Sequence, residues 1–310
     1  GLVTYRSHAD SPAARPSSCY FYTVYTQLKQ FIAQLRPEIY CNKEKYYLSF
    51  LISTENFPDK FWGVGNKTPD EAEESYTPRS FSFEITGQRK IWSQKNLYIG
   101  LQSRFEQYKI IKFEPEGLLA REIFPGSRQG KTTSLGIMLS LDTRDNIFFP
   151  TSGHYYQFVA SLSQKFLGSD FEKSSVRLDL RRYEPLFSGH VLSWQILLQA
   201  IGGSPGFRQY ATLGGDMIMR GYYSGRYRDK CLIAFQSEYR LPLWKRLGLV
   251  GFASLGEVAG SIKSFQIRNF KYSYGFGLRF KILPREGTNL RLDLAWGKKT
   301  SGIYFSAGEA

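Results

Sequence analysis

Tyr272-Ser273-Tyr274-Gly275-Phe276-Gly277-Leu278-Arg279-Phe280-Lys281-Ile282 alternates without a break: every even position is aromatic or aliphatic and every odd one is small or charged. A period of two is strand geometry, because successive side chains leave a pleated backbone on opposite faces. Working outward, Leu290–Gly297 sets Leu290, Leu292, Leu294 and Trp296 against Arg291, Asp293, Ala295 and Gly297. In Asn96–Tyr108 the two parities are Leu97, Ile99, Leu101, Phe105 and Tyr98, Gly100, Gln102, Arg104, Glu106, Tyr108. Leu135–Asp145 opposes Leu135, Ile137, Leu139 and Leu141 to Gly136, Met138, Ser140, Asp142 and Arg144. About fourteen such segments run from Ser17 to Ala310, with Leu2–Ser7 as a fifteenth candidate.

A soluble antiparallel sandwich also alternates. These segments are longer than sandwich strands, at about ten residues against five or six, and no helical stretch is left to cover the sheet. Ten-residue alternating strands with aromatic ends are what a bilayer-spanning barrel requires. The expected fold is therefore all-β, a transmembrane antiparallel β-barrel over residues 1–310, with the apolar parity toward lipid and the polar parity toward a wet lumen. Short turns fall near Asn42–Glu44, Leu186–Gly189, Pro242–Lys245 and Pro284–Thr288. Long connections fall at Pro58–Arg79, Ile111–Thr132, Gly203–Asp229 and Gly260–Asn269. Bacterial barrels set short turns on the periplasmic side and long loops outside.

Composition narrows the alternatives. No uncharged apolar run of about 18 residues exists, which excludes a helical membrane protein. The 310 residues carry 41 Lys+Arg against 27 Asp+Glu, a net charge of +14. That charge lies on the polar strand parity and in loops rather than in one stripe, so a basic lumen and anionic lipid headgroups account for it better than nucleic acid does. No nucleophile, base and orienter can be assembled around His8, His154 or His190, and Gly-x-Ser-x-Gly is absent, so no enzyme activity is expected. Gly126–Thr132 has three residues between its glycines where a P-loop needs four. Asp70-Glu71-Ala72-Glu73-Glu74 reads as a solvated acidic loop. Asn66-Lys67-Thr68 fits a sequon that is common by chance. No metal site and no cofactor are expected. Cys19 and Cys41 lie near one end of an apparent hairpin, where a disulfide and free thiols both stay open; Cys231 has no evident partner.

One loop is unlike generic surface sequence. Leu213–Asp229 holds Arg220, Arg226 and Arg228 among tyrosines and glycines. Its Met219-Arg220-Gly221-Tyr222 resembles the Val/Ile-Arg-Gly-Phe/Tyr motif of the BamA/TamA outer-membrane assembly superfamily, the bacterial surface antigen barrels. Ser237-Glu238-Tyr239-Arg240-Leu241-Pro242 resembles that family's strand after the loop. Asp142–Asn146 through Phe149-Pro150-Thr151-Ser152-Gly153 is similar to its strand-turn-strand signature, and Ile303–Ala310 to its closing strand. The four occur in the family's order.

The resemblance implies a 16-strand plan with about fourteen or fifteen strands traceable here. It implies a loop folded back into the lumen, with Arg220 on the inner wall. The family's usual Asp in a Phe-x-Asp-x-Gly context is replaced by Ser254, within Phe252–Glu257. Glu238 is thus the expected partner of Arg220, with Asp142 and Glu257 in reserve and Arg144 also lumenal. The nearest resemblance is to the short subgroup without N-terminal POTRA domains. The implied role is insertion or translocation of proteins or lipids at the bacterial outer membrane, with outer-membrane lipid, lipopolysaccharide and periplasmic or outer-membrane proteins as partners. The alternative is a passive pore or structural barrel.

Overall fold

The computed structural model describes residues 1–5, 15–283 and 287–309. Ser7, His8, most of the Pro284–Thr288 turn and Ala310 lie outside the described residues. The chain forms β1 (Leu2–Tyr5), β2 (Ser17–Tyr25), β3 (Phe31–Cys41), β4 (Tyr46–Asn56), β5 (Asp59–Phe61) and β6 (Glu74–Trp92). It continues with β7 (Leu97–Phe113), β8 (Gln129–Asp142), β9 (Gly153–Ser163), β10 (Lys173–Pro185) and β11 (Val191–Gly203). A short hairpin, β12 (Ala211–Leu213) and β13 (Tyr227–Asp229), stands apart from the main sheet. The last strands are β14 (Cys231–Trp244), β15 (Leu247–Ala259), β16 (Lys271–Leu283), β17 (Thr288–Gly297) and β18 (Thr300–Ala307). No α-helix occurs among the described residues.

One 16-stranded antiparallel sheet takes in all of these except the β12–β13 hairpin. Each strand pairs with its neighbour in sequence, in an up-and-down meander whose path ends at β1 and β18. β5 continues β4 past a break at Phe57–Pro58: Asn56 lies opposite Arg79 and Asp59 opposite Tyr76 on the same long β6. The path thus counts fifteen strands, the upper figure expected from parity. The nineteen residues of β6 exceed what a tilted bilayer crossing needs, about nine to eleven, so its outer end stands above the membrane.

Parity settles which face is which. Leu101 is 68% exposed, and Ile99, Ile137, Phe276 and Leu292 are exposed with it, while Arg291 and Asp293 are buried on the opposite face. Gln102 and Arg104 line a lumenal cavity. An apolar face turned outward and a polar face turned inward is the wall of a transmembrane β-barrel. At the short-turn end Trp92, Trp244 and Tyr46 stand exposed, each with a nearby ammonium (Lys95 at 4.5 Å, Lys245 at 4.8 Å, Lys45 at 5.7 Å) over its ring. Aromatic rings beside lysines suit a headgroup layer, where one side is apolar and the other wet. The long connections are shorter than expected, because β6 begins at Glu74, β7 runs to Phe113 and β8 begins at Gln129.

One expectation needs correction, and one open alternative is decided. The lumen is wet over only part of its cross-section. Toward the long-loop end the inward parity turns apolar, and Leu197, Ile201, Leu232, Ala234 and Val258 pack on Leu213, Met219 and Tyr222 of the inserted loop. Above the opposite wall Phe61, Tyr76, Tyr108, Ile110, Leu119 and Phe207 form a second apolar cluster beneath the loops. The thiols of Cys19, Cys41 and Cys231 are free. Cys19 lies opposite Pro37, four residues from Cys41 along β3, or about 14 Å, which is beyond disulfide reach.

Leu101→Arg should destabilise the refolded barrel by about 2–4 kcal/mol in a urea titration in lipid vesicles, with Gln102→Arg much milder. Cysteines placed at Ile99 and Leu101 should react with a lipid-soluble reagent. Exclusive reaction with an aqueous one would invert the facing.

Candidate functional site: an arginine-tipped loop inside the barrel

The chain leaves β11, turns through Phe207–Gln209, and enters the barrel between β12 and β13. The hairpin register, Ala211 opposite Asp229 and Leu213 opposite Tyr227, aims Gly214–Arg226 inward. At the tip Met219 adopts a φ of 56° and Gly221 one of 103°. The left-handed region is costly for Met and easy for Gly. A Cβ at Gly221 would also meet the Trp296 carbonyl carbon at 2.8 Å and the Gly297 nitrogen at 3.0 Å, so only glycine lets the loop backbone lie on β17.

Arg220 is fully buried. One Nη donates to Glu238 on β14 and the other to Asp293 Oδ2 on β17 at 2.6 Å. Its guanidinium carbon lies 3.5 Å from the ring centroid of Phe252. A permanently charged group held this far from water requires such partners, since an unpaired buried charge costs several kcal/mol. The carboxylates are themselves shared. Glu238 Oε2 accepts from Arg240 at 2.9 and 3.0 Å, Asp293 Oδ1 from Arg279 at 2.5 Å, and Glu309 from the Arg279 Nε at 2.8 Å. Cations and anions therefore alternate from Arg240 to Glu309. Space for them comes from β16, where a Cβ on Gly277 would strike the Asp293 carboxylate.

The rest of the motif ties the loop to the last strand. Gly221 N donates to Tyr304 Oη at 2.8 Å, and Thr300 Oγ1 donates to the Gly221 carbonyl at 2.9 Å. Tyr222 Oη donates to the Tyr272 carbonyl and accepts from Lys298 N, each at 3.0 Å. At the mouth, Arg226 donates to Thr68 and to Asp70 Oδ1 at 2.6 Å, and this bond holds the Asp70 carboxyl below the usual carboxylate range. The acidic segment is thus divided. Asp70 serves Arg226, Glu73 takes Lys60, and buried Glu74 accepts from Leu119 N.

Of the expected partners, Glu238 meets Arg220 and the reserves do not. Asp142 sits at the short-turn end of β8, where it takes Arg144 at 2.8 Å and Arg15 at 3.2 Å. Glu257, expected to be lumenal, lies opposite Ile233 on the parity opposite to Ser254, where the following loop covers it and its carboxylate accepts from Gln266 N at 3.1 Å. Ser254 faces inward between Gln236 and Ser273, and its hydroxyl has no protein partner. The missed partner is Asp293. Its lumenal parity was legible, but nothing local in sequence links it to a residue 73 positions away. The turn signature reaches the same network from below. Asp145 and Asn146 accept the backbone N–H groups of Thr151, Ser152, Phe148 and Phe149, and the Pro150 carbonyl accepts from Arg240 at 3.2 Å.

Arg220→Ala combined with Glu238→Gln, and separately with Asp293→Asn, should each show a coupling of about 0.5–3 kcal/mol in urea unfolding. Arg220→Ala with Asp142→Asn should be additive. Additivity in the first two cycles would remove Arg220 from its assigned role as the loop's anchor.

The comparisons with known proteins fit this geometry. A search of curated protein sequences finds no match. Among solved structures the chain is similar to BamA from Haemophilus ducreyi lacking POTRA domains 1–3, with a TM-score of 0.62 and 15% identity, covering 99% of this chain and 68% of that one. It is also similar to CdiB from Acinetobacter baumannii, with a TM-score of 0.59 and 13% identity, covering 94% and 53% respectively. At such identities the likeness is one of fold. The Omp85 superfamily domain matches residues 34–310. That span contains the inserted loop, both carboxylates that hold Arg220 and the turn beneath Arg240, and the chain accordingly belongs to the Omp85 superfamily, as an outer-membrane β-barrel of the BamA/TamA type.

Proposed function

We propose that this barrel assists insertion or translocation of proteins at the outer membrane, using strand pairing and no bond chemistry. The observation that carries the reading is the contact between the loop tip and the terminal strand: Gly221 is bonded to both Tyr304 and Thr300 of β18. β18 ends the sheet path, and its outward residues Ile303 and Phe305 are 74% and 72% exposed. An edge strand offers a row of backbone donors and acceptors to an incoming strand. Such a template works only if it keeps its register and does not fray. The loop, anchored through Arg220 one and four strands away from β18, supplies that support from inside.

Omp85 family members work with partner proteins in the outer membrane. Here the partners are incoming chains and the surrounding lipid. Lysine–aromatic pairs at the short-turn end, such as Lys95 with Trp92, fit anionic headgroups.

The test uses the full chain in lipid vesicles with an unfolded outer-membrane barrel as substrate, followed by the gel shift of folded barrels. The protein should accelerate substrate folding, and Arg220→Ala should reduce the acceleration. A photo-crosslinker at Ile303 should capture the substrate. Equal folding rates with and without the protein, together with ion conductance through the intact barrel, would replace this reading with that of a passive pore.

A further inference from the structure

Opposite the inserted loop, mainly between β3 and β10, the lumen holds a cavity of about 820 Å³. Eight arginine or lysine side chains and five carboxylates line it, leaving three cations in excess. The carboxylates are unevenly committed. Asp142 is taken by Arg144 and Arg15, and Asp179 accepts both ends of Arg181 at 2.9 and 3.0 Å. Arg177 reaches Asp179 only at 3.5 Å, and Arg104 reaches Glu106 and Glu84 only at 3.6 and 3.9 Å. Among the described residues no carboxylate forms an ion pair with Lys173.

Register places these three cations on one wall. Arg104 lies opposite Ser134, Ser134 opposite Ser163, and Ser163 opposite Lys173. Arg104 and Lys173 thus share a row three strands apart, about 14 Å between Cα atoms. Arg177 stands on the same face of β10, four residues from Lys173 and again about 14 Å away. The floor between these corners is Gly136, Ser161 and Ser175, themselves aligned on one row. Small residues leave room there for a ligand within reach of the long cationic side chains at the corners.

Like charges gathered on one wall repel unless anions balance them, and here Glu84, Glu106 and Asp179 approach Arg104 and Arg177 only at 3.5–3.9 Å. Water alone would be served by neutral groups of the kind that Gln88, Gln102 and Gln157 already provide in the same cavity. We propose that the wall formed by Arg104, Lys173 and Arg177 binds a phosphate-bearing ligand. The two guanidiniums would supply planar forks, the ammonium a point charge, and Ser161 and Ser175 hydroxyl donors. A phosphate dianion matches the cationic excess of this cavity better than a single carboxylate does. The inference is independent of strand-pairing activity, because none of these residues touches the loop anchor or β18.

The experiment titrates inorganic pyrophosphate into the full chain, folded in uncharged maltoside micelles, by calorimetry at fixed salt. Saturable binding is expected. Lys173→Gln/Arg177→Gln should weaken it at least about tenfold, a loss of about 1.4 kcal/mol. Lys263→Gln/Arg268→Gln, which removes the same charge from an exposed loop, should leave it unchanged. Heat resistance on gels checks that each variant is folded; if the double variant is not, the two single variants carry the comparison. Displacement of pyrophosphate by a short-chain phosphatidic acid would point to a lipid phosphate, and failure to displace it to a soluble one; both support the site. Absence of saturable binding by either probe, or equal weakening in both double variants, would overturn the proposal.

Discussion

The guanidinium of Arg220 cannot lose its charge, and the fold buries it completely. Everything near it follows from that constraint. Two carboxylates must reach it, so β14 and β17 contribute Glu238 and Asp293 at compatible heights. Those carboxylates would in turn be over-charged beside one cation, so Arg240 and Arg279 complete them, and Glu309 completes Arg279. The result connects four regions of the chain: the loop, the strand after it, the turn at Pro150 and Glu309 just past β18.

Buried ion pairs of this kind contribute little net stability, because desolvation consumes most of the Coulombic gain. Their value is positional. The apolar cluster around Met219, Tyr222, Leu213 and Val258 supplies burial, at about 25 cal/mol per Å², but apolar packing tolerates small shifts. A guanidinium between two carboxylates does not. The loop is therefore held in by hydrophobic contact and held in register by charge, which is the division of labour that a strand template requires.

Much of this was legible in sequence because barrel strands obey a strict period. Residues such as Leu101 and Asp293 have only two faces available, and a bilayer on one side decides between them. The Arg220 loop stood out because arginines among glycines and tyrosines are not surface composition. Three features escaped. Asp293 was assigned to the right face without a partner, since parity gives a direction and no azimuth around the barrel. Asp142 shares that direction but lies elsewhere on the wall, whereas Glu257 falls on the opposite parity, next to inward Val258. The apolar inward residues Ile110 and Ile201 break the polar parity only because loops pack on them, and loop packing has no periodic signature.

The lumen that results is asymmetric, and the asymmetry has a physical origin. Loop, ion network and apolar cluster back the side bounded by β11 and β14–β18, leaving there a cavity of about 660 Å³ between the loop and the start of β18. The side bounded by β3–β10 keeps an open volume lined by serine, glutamine and unevenly paired charge. A template edge gains from stiffness behind it, and β18 lies on the backed side, bonded through Tyr304 and Thr300 to the loop backbone. Solvent-filled lumen gains nothing for such an edge, so the open half is free to carry a different task. The placement of Gly275 and Gly277 on β16 follows the same logic: only there does the wall need to be thin enough to admit Phe252, Asp293 and the guanidinium together.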